Sequence, residues 1–238
     1  MCGARELLDE LQVQESQRII GSFRMFSRCS ECIVGKKRIT GSSVTKFYRG
    51  RRSFKVPRRN FMQFEVSNSS CLLGSINSNS SLFRLVQLQV LNLAENNFSS
   101  SRIPTSIRNF PGLMYVNLSL NHLTGPIPSQ ISQLAKLSSL DLSSNQLTGP
   151  IPSLGNLTHL TELSLSSNQL TGPIPSLGNL IHLTALSRSS NQLTGPIASL
   201  GNLTHLTKLF LFSNQLTGPI PSLGNLTHLT KLFCLRIS

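Results

Sequence analysis

Four histidines recur at one place in successive copies of a repeated phrase: His159, His182, His205 and His228 stand 23 residues apart. Imidazole is the commonest metal ligand, and identical places in stacked copies form a column with a step of about 5 Å. Two neighbours could share a metal ion. Duplication alone produces the same spacing, so the expectation is a row of exposed imidazoles with no metal. Cys29 and Cys32 form a CxxC, half of a four-ligand zinc site with no second pair nearby, and are read as two unpaired thiols. The acids beyond the first 66 residues are Glu95, Asp141 and Glu162. Asp141 and Glu162 project from one surface, but paired-carboxylate chemistry needs a cleft and raised pKa values that a shallow sheet seldom supplies. No nucleophile elbow, phosphate loop or HExxH occurs. The chain is read as non-catalytic and without a cofactor.

The element that positions these groups is the repeat. Aligned on Asn96, Asn121, Asn145, Asn168, Asn191 and Asn214, the copies step by 25, 24, 23, 23 and 23 residues. Such a period means a solenoid. The pattern LxxLxxLxLxxNxL runs through Leu134, Leu137, Leu140, Leu142, Asn145 and Leu147, followed by "TGPIP". The two-residue alternation of LxL predicts a short strand with Leu140 and Leu142 inward and Asp141 outward. The Asn amide is expected to bridge the backbone of the next coil. "LTGPIP" predicts a second bend, because Gly allows unusual backbone angles and Pro forbids a helix, and "SLGNLTHL" a short helical turn on the convex side. No single unit can bury its leucines, so repetition builds the core.

The phrase "LxLSSNQLTGPIPxxLGNLTxL" resembles the plant-specific extracellular leucine-rich repeats. The stretch from about Asn68, "SNSSCLLGSINSNSSLFRLVQLQVLNLAENNFSS", is similar to the first repeats of plant receptor-like proteins of the disease-resistance type. The resemblance implies an α/β solenoid, a leucine-rich-repeat horseshoe of about seven plant-type repeats, with a disordered or irregular basic N-terminal segment. It also implies a plasma-membrane or extracellular location and a receptor-kinase co-receptor as partner.

Residues 1–67 are read as a basic leader, 68–84 as the remnant of a leading repeat or cap, and 85–238 as the array with its last repeat truncated. The net charge is +13, and the first 66 residues hold 14 of the 22 Lys and Arg against six acids. That segment is expected to be disordered or weakly helical, the best helix chance lying near Leu7, Leu8 and Leu11. Its basic and aromatic mixture could bind nucleic acid, but it carries no nucleic-acid fold signature, so that partner is not favoured. No apolar run reaches the ~18 residues of a membrane helix, and "MCGARELLDELQVQ" lacks the apolar stretch of a signal peptide. Counting back from Gly74 puts Glu65 and Ser67 at inward positions, which argues against a core strand there. At the other end, Cys234 and Ile237 fall where Leu and Asn are due. Arg188 occupies an inward Leu position and is expected to snorkel to an edge.

Function must lie in what varies between copies. The outward column Asn92, Asn117, Asp141, Ser164, Ser187, Phe210 and Phe233, flanked by Tyr115, Glu162, Lys208 and Lys231, runs from polar to aromatic and basic. From it the candidate site is Tyr115, Asn117, Asp141, Glu162, Lys208, Phe210, Lys231 and Phe233, facing a protein, peptide or glycan ligand. Sequons at Asn68, Asn79, Asn97, Asn117, Asn156, Asn202 and Asn225 are candidate glycosylation sites. The reading is a non-catalytic recognition module. Its alternatives are a secreted inhibitor of cell-wall-degrading enzymes, a basic intracellular nucleic-acid binder, and a gene fragment without function.

Overall fold

The structure, a computed structural model, describes residues 24–25, 32–34, 37–39, 62–65, 72–73, 75–78, 80–98, 100–197 and 200–233. The array forms a parallel solenoid. Each LxL supplies one strand of an eight-stranded sheet, in chain order: Met62–Glu65, Leu88–Asn92, Tyr115–Asn117, Ser139–Asp141, Glu162–Ser164, Ala185–Ser187, Lys208–Phe210 and Lys231–Phe233. Identical phrases pair in register, Leu140 with Leu163, Leu163 with Leu186 and Leu186 with Leu209, so the inward leucines stack. Leu134, Leu137, Leu142 and Leu147 of one coil are all fully buried. At about 2 kcal/mol for each buried leucine, the repeated layers are the main stabilising term.

"LTGPIP" does more than bend. Thr124–Gly125, Gln146–Pro150, Gln169–Pro173, Gln192–Gly195 and Gln215–Leu216 form a second, five-stranded parallel sheet. The glycine still provides the turn, since Gly149 has φ 76°, a left-handed angle that costs other residues about 1 to 2 kcal/mol. The convex return also differs from expectation. Thr105–Asn109 and Ser129–Gln133 are 3-10 helices in the longer coils. The shorter "SLGNL" returns hold only turns, because the coil has lost a residue and Gly155 interrupts the helical geometry.

The repeated Asn bridges coils as expected, but to the preceding coil and not to the next. Asn145 Nδ2 donates to the carbonyls of Leu118 (2.8 Å), Leu142 (3.1 Å) and Ser143 (3.1 Å). Its Oδ1 accepts from the backbone N–H of Asn121 (3.1 Å) and Leu123 (2.9 Å). Asn168, Asn191 and Asn214 repeat the pattern. These amides satisfy backbone groups at the bend between sheets, where no ladder can.

Two expectations are corrected. Strand Met62–Glu65 pairs with Leu88–Asn92 and sets Phe64 against Leu91 and Glu65 against Asn92, with a register irregularity between Met62 and Gln63. A strand therefore lies where the count from Gly74 argued against one. The count from Gly74 assumed a leading coil of standard length, and a one-residue displacement exchanges the two faces. Within the leader, Arg24–Met25 also pairs with Leu72–Leu73, and Cys32–Val34 with Lys37–Ile39. The helix expected around Leu7, Leu8 and Leu11 lies outside the described residues, as do Cys29, Cys234 and Ile237.

The second correction is Arg188, which does not reach an edge. Its side chain is 0% exposed, and Nε, Nη1 and Nη2 have no hydrogen-bond partner. Burial lowers its pKa from the ordinary arginine value to about 9. Coils packed on both sides close over the position, leaving the guanidinium no route outward.

Candidate functional site: the concave sheet face

Residues flanking the inward leucines point away from the core, and the parallel register lines them up. Asn92 pairs with Asn117, Asn117 with Asp141, Asp141 with Ser164, Ser164 with Ser187, Ser187 with Phe210 and Phe210 with Phe233. A second column runs Tyr115, Ser139, Glu162, Ala185, Lys208 and Lys231. All eight candidate residues thus share one face in the two columns foreseen.

The character of the face changes along the axis. At one end side-chain acceptors are tied down locally: Asn117 Oδ1 accepts from the Ser119 N–H (3.0 Å) and hydroxyl (2.7 Å), while its Nδ2 donates to the Tyr115 hydroxyl (3.3 Å). Asp141 Oδ1 likewise accepts from the Ser143 N–H (2.9 Å) and hydroxyl (2.6 Å). Glu162 is exposed and its Oε2 accepts from the Ser139 hydroxyl at 3.3 Å. Asp141 and Glu162 sit diagonally on adjacent strands, each engaged by its own serine. At the other end Phe210 and Phe233 stack with centroids 5.4 Å apart and an interplanar angle of 15°. Lys208 and Lys231 beside them are exposed. Between the two ends lies a hollow of about 230 Å³ floored by the small residues Ser164, Ala185 and Ser187.

The convex face carries the histidine column. His205 and His228 stack at 6.3 Å and 6°, and His182 to His205 is 6.2 Å. Nδ1 of His205 donates to the Ile181 carbonyl (3.1 Å) and that of His228 to the Thr204 carbonyl (3.0 Å). Among the described residues no group of three His, Cys, Asp or Glu is placed to hold a metal.

The sequons fall in unlike places. Asn156, Asn202 and Asn225 are exposed on the convex return, and the last two donate to the carbonyls of Gly178 and Gly201, both at 3.4 Å. Asn97 is half-buried, Asn117 lies within the concave sheet, and Asn68 and Asn79 are outside the described residues.

Comparison with known proteins matches residues 86–147 to the family described as leucine rich repeat, 135–179 to leucine rich repeats in two copies, and 205–226 to a further leucine rich repeat. Receptor-like protein 6 of Arabidopsis thaliana is 50% identical over 56 residues, which is 24% of this chain and 6% of that protein. The Arabidopsis receptor kinase HAESA, solved in complex with the peptide hormone IDA and the co-receptor SERK1, aligns with TM-score 0.68 at 38% identity over 71% of this chain and 28% of that one. A pollen receptor kinase 3 aligns with TM-score 0.59 at 31% identity, covering 68% of this chain and 79% of that one. The matched part is a small share of the curated relative and about a quarter of the HAESA chain.

Proposed function

This chain belongs to the leucine-rich-repeat family, in the class of plant receptor-like proteins, and on that footing we propose that it is a non-catalytic recognition module binding a peptide or protein segment on its concave sheet. The observation that carries the reading is the concentration of difference on that face. The scaffold leucines and asparagines are copied from coil to coil, while the outward columns change from amide and carboxylate to small residues and then to Phe and Lys. A solenoid that varies mainly where it faces outward presents distributed contacts, and these suit an extended partner. The HAESA complex with a peptide hormone and a co-receptor supports a peptide as ligand and a second receptor as partner for this chain too. The same relatives support an extracellular or plasma-membrane setting; no helix among the described residues is long and apolar enough to cross a membrane.

The test is selection from a displayed library of random dodecapeptides on the immobilised full chain and on Ala185→Trp. Ala185 lies on the floor of the hollow with its side chain half-exposed, so an indole there fills the hollow without entering the core. Peptides enriched on the wild-type chain and lost on Ala185→Trp support the reading. Enrichment unaffected by the indole overturns it.

A further inference from the structure

The two ends of the hollow carry opposite charge, and their spacing is fixed by the sheet. Glu162 pairs with Ala185, which pairs with Lys208, so acid and base are two coils apart, about 10 Å at the strand spacing. That is far beyond ion-pair distance. From Asp141 the column runs four coils to Phe233, beside Lys231, about 19 Å. The stacked phenylalanines belong to the basic end alone, since Phe210 shares a strand with Lys208. The hollow is smaller than a pocket for a whole small molecule, so it seats one or two side chains of something longer.

We propose that this face takes a bipolar peptide lying along the solenoid axis, with a basic residue over Asp141 and Glu162, an acidic group over Lys208 and Lys231, and an apolar or aromatic side chain beside that acidic group against Phe210. The inference rests on the concave-face reading and adds the chemistry of its ligand. An extended chain advances about 3.3 Å per residue, so the basic and acidic residues stand three to six positions apart. A neutral glycan leaves both charged ends desolvated and unpaired, which is costly. A nucleic acid meets Lys208 and Lys231 but is repelled by Asp141 and Glu162. Only a ligand with both signs, in this spacing, satisfies the whole face. Chain direction is open, because side chains, not the ligand backbone, carry the match. The apolar group, however, must neighbour the acid.

That asymmetry supplies the experiment. Random dodecapeptides are selected on the wild-type chain, on Ala185→Trp, and on a double variant, Glu162→Lys with Lys208→Glu, both exposed positions whose exchange leaves the core intact. The expected result is at least tenfold enrichment on the wild-type chain of peptides with Lys or Arg three to six residues from Asp or Glu, an aromatic or aliphatic residue adjoining the acid. On the double variant the same apolar residue should adjoin the base. Enrichment that Ala185→Trp abolishes but that shows no charge spacing, or the same arrangement on both charge versions, overturns this inference and leaves the concave-face reading standing. Enrichment that survives Ala185→Trp, or no enrichment over the bare support, overturns both.

Discussion

Replacing Arg188 with leucine puts into the core the side chain that Leu142, Leu165 and Leu211 supply in the same row, and removes a guanidinium with no hydrogen-bond partner for any of its three nitrogens. Burial lowers the Arg188 pKa from the ordinary arginine value to about 9. At about 1.4 kcal/mol per pKa unit, that is roughly 5 kcal/mol against the charged form at neutral pH. Leucine adds about 2 kcal/mol of apolar burial, largely offset by the loss of the arginine's own methylenes, and local relaxation reduces the total. The expected gain for Arg188→Leu is about 3 to 5 kcal/mol at pH 7. Its pH dependence has a definite sign. The folded pKa lies below the unfolded one, so the penalty is complete below about pH 9. Above that pH the native form sheds its proton before the unfolded chain does, the unfolded chain binds more protons, and stability rises with pH. Urea unfolding followed by far-ultraviolet circular dichroism should therefore show a large gap between variant and wild type at pH 7 and a smaller one at pH 10. Hydrogen exchange should slow at the amides of Leu186 to Asn191 in the variant. A neutral or destabilising effect at pH 7, or a gap unchanged at pH 10, refutes the reasoning and means that Arg188 has an anionic partner or reaches water.

Asn145→Ala removes five hydrogen bonds at a buried bend and should cost about 2 to 4 kcal/mol in the same unfolding assay. Gly149→Ala meets only ordinary contact at its new Cβ, 3.9 Å from Pro126, but must hold φ near 76°, so a loss of about 1 to 2 kcal/mol is expected from the backbone alone. Secreted from a eukaryotic host, the chain should carry glycans at exposed Asn156 and none at Asn117, whose amide is bonded within the sheet; mass spectrometry before and after glycosidase reads this directly.

The parts of this molecule legible in its residues are those where one period governs. The Leu and Asn spacing sets the strands, the core and both outward columns, because a pleat alternates faces with no room for another arrangement. The second sheet was hidden because Gln-Leu-Thr-Gly-Pro has the composition of a turn. It becomes a strand only because a copy of itself lies one coil away to accept its hydrogen bonds, Leu147 against Gly125 and Gly149 against Leu170. The strand at Met62–Glu65 is illegible in the count from Gly74, which argues against it, because the period drifts there and register cannot be counted across an irregular coil. Arg188 was located correctly but given the wrong fate. Side-chain length suggests escape to water, whereas enclosure by the neighbouring coils decides it. The hollow between acid and base needed the register itself, since Glu162 and Lys208 are 46 residues apart in the chain but two strands apart in the sheet.

The most direct test of the central claim, that recognition belongs to the concave columns and not to the basic leader, is calorimetric titration of one selected peptide against three forms of the full chain. These are the wild type, Ala185→Trp, and a leader variant with Lys36, Lys37 and Arg38 changed to Gln. The account predicts at least a tenfold loss of affinity for Ala185→Trp and an unchanged value for the leader variant. Loss of binding in the leader variant with full affinity in Ala185→Trp contradicts it.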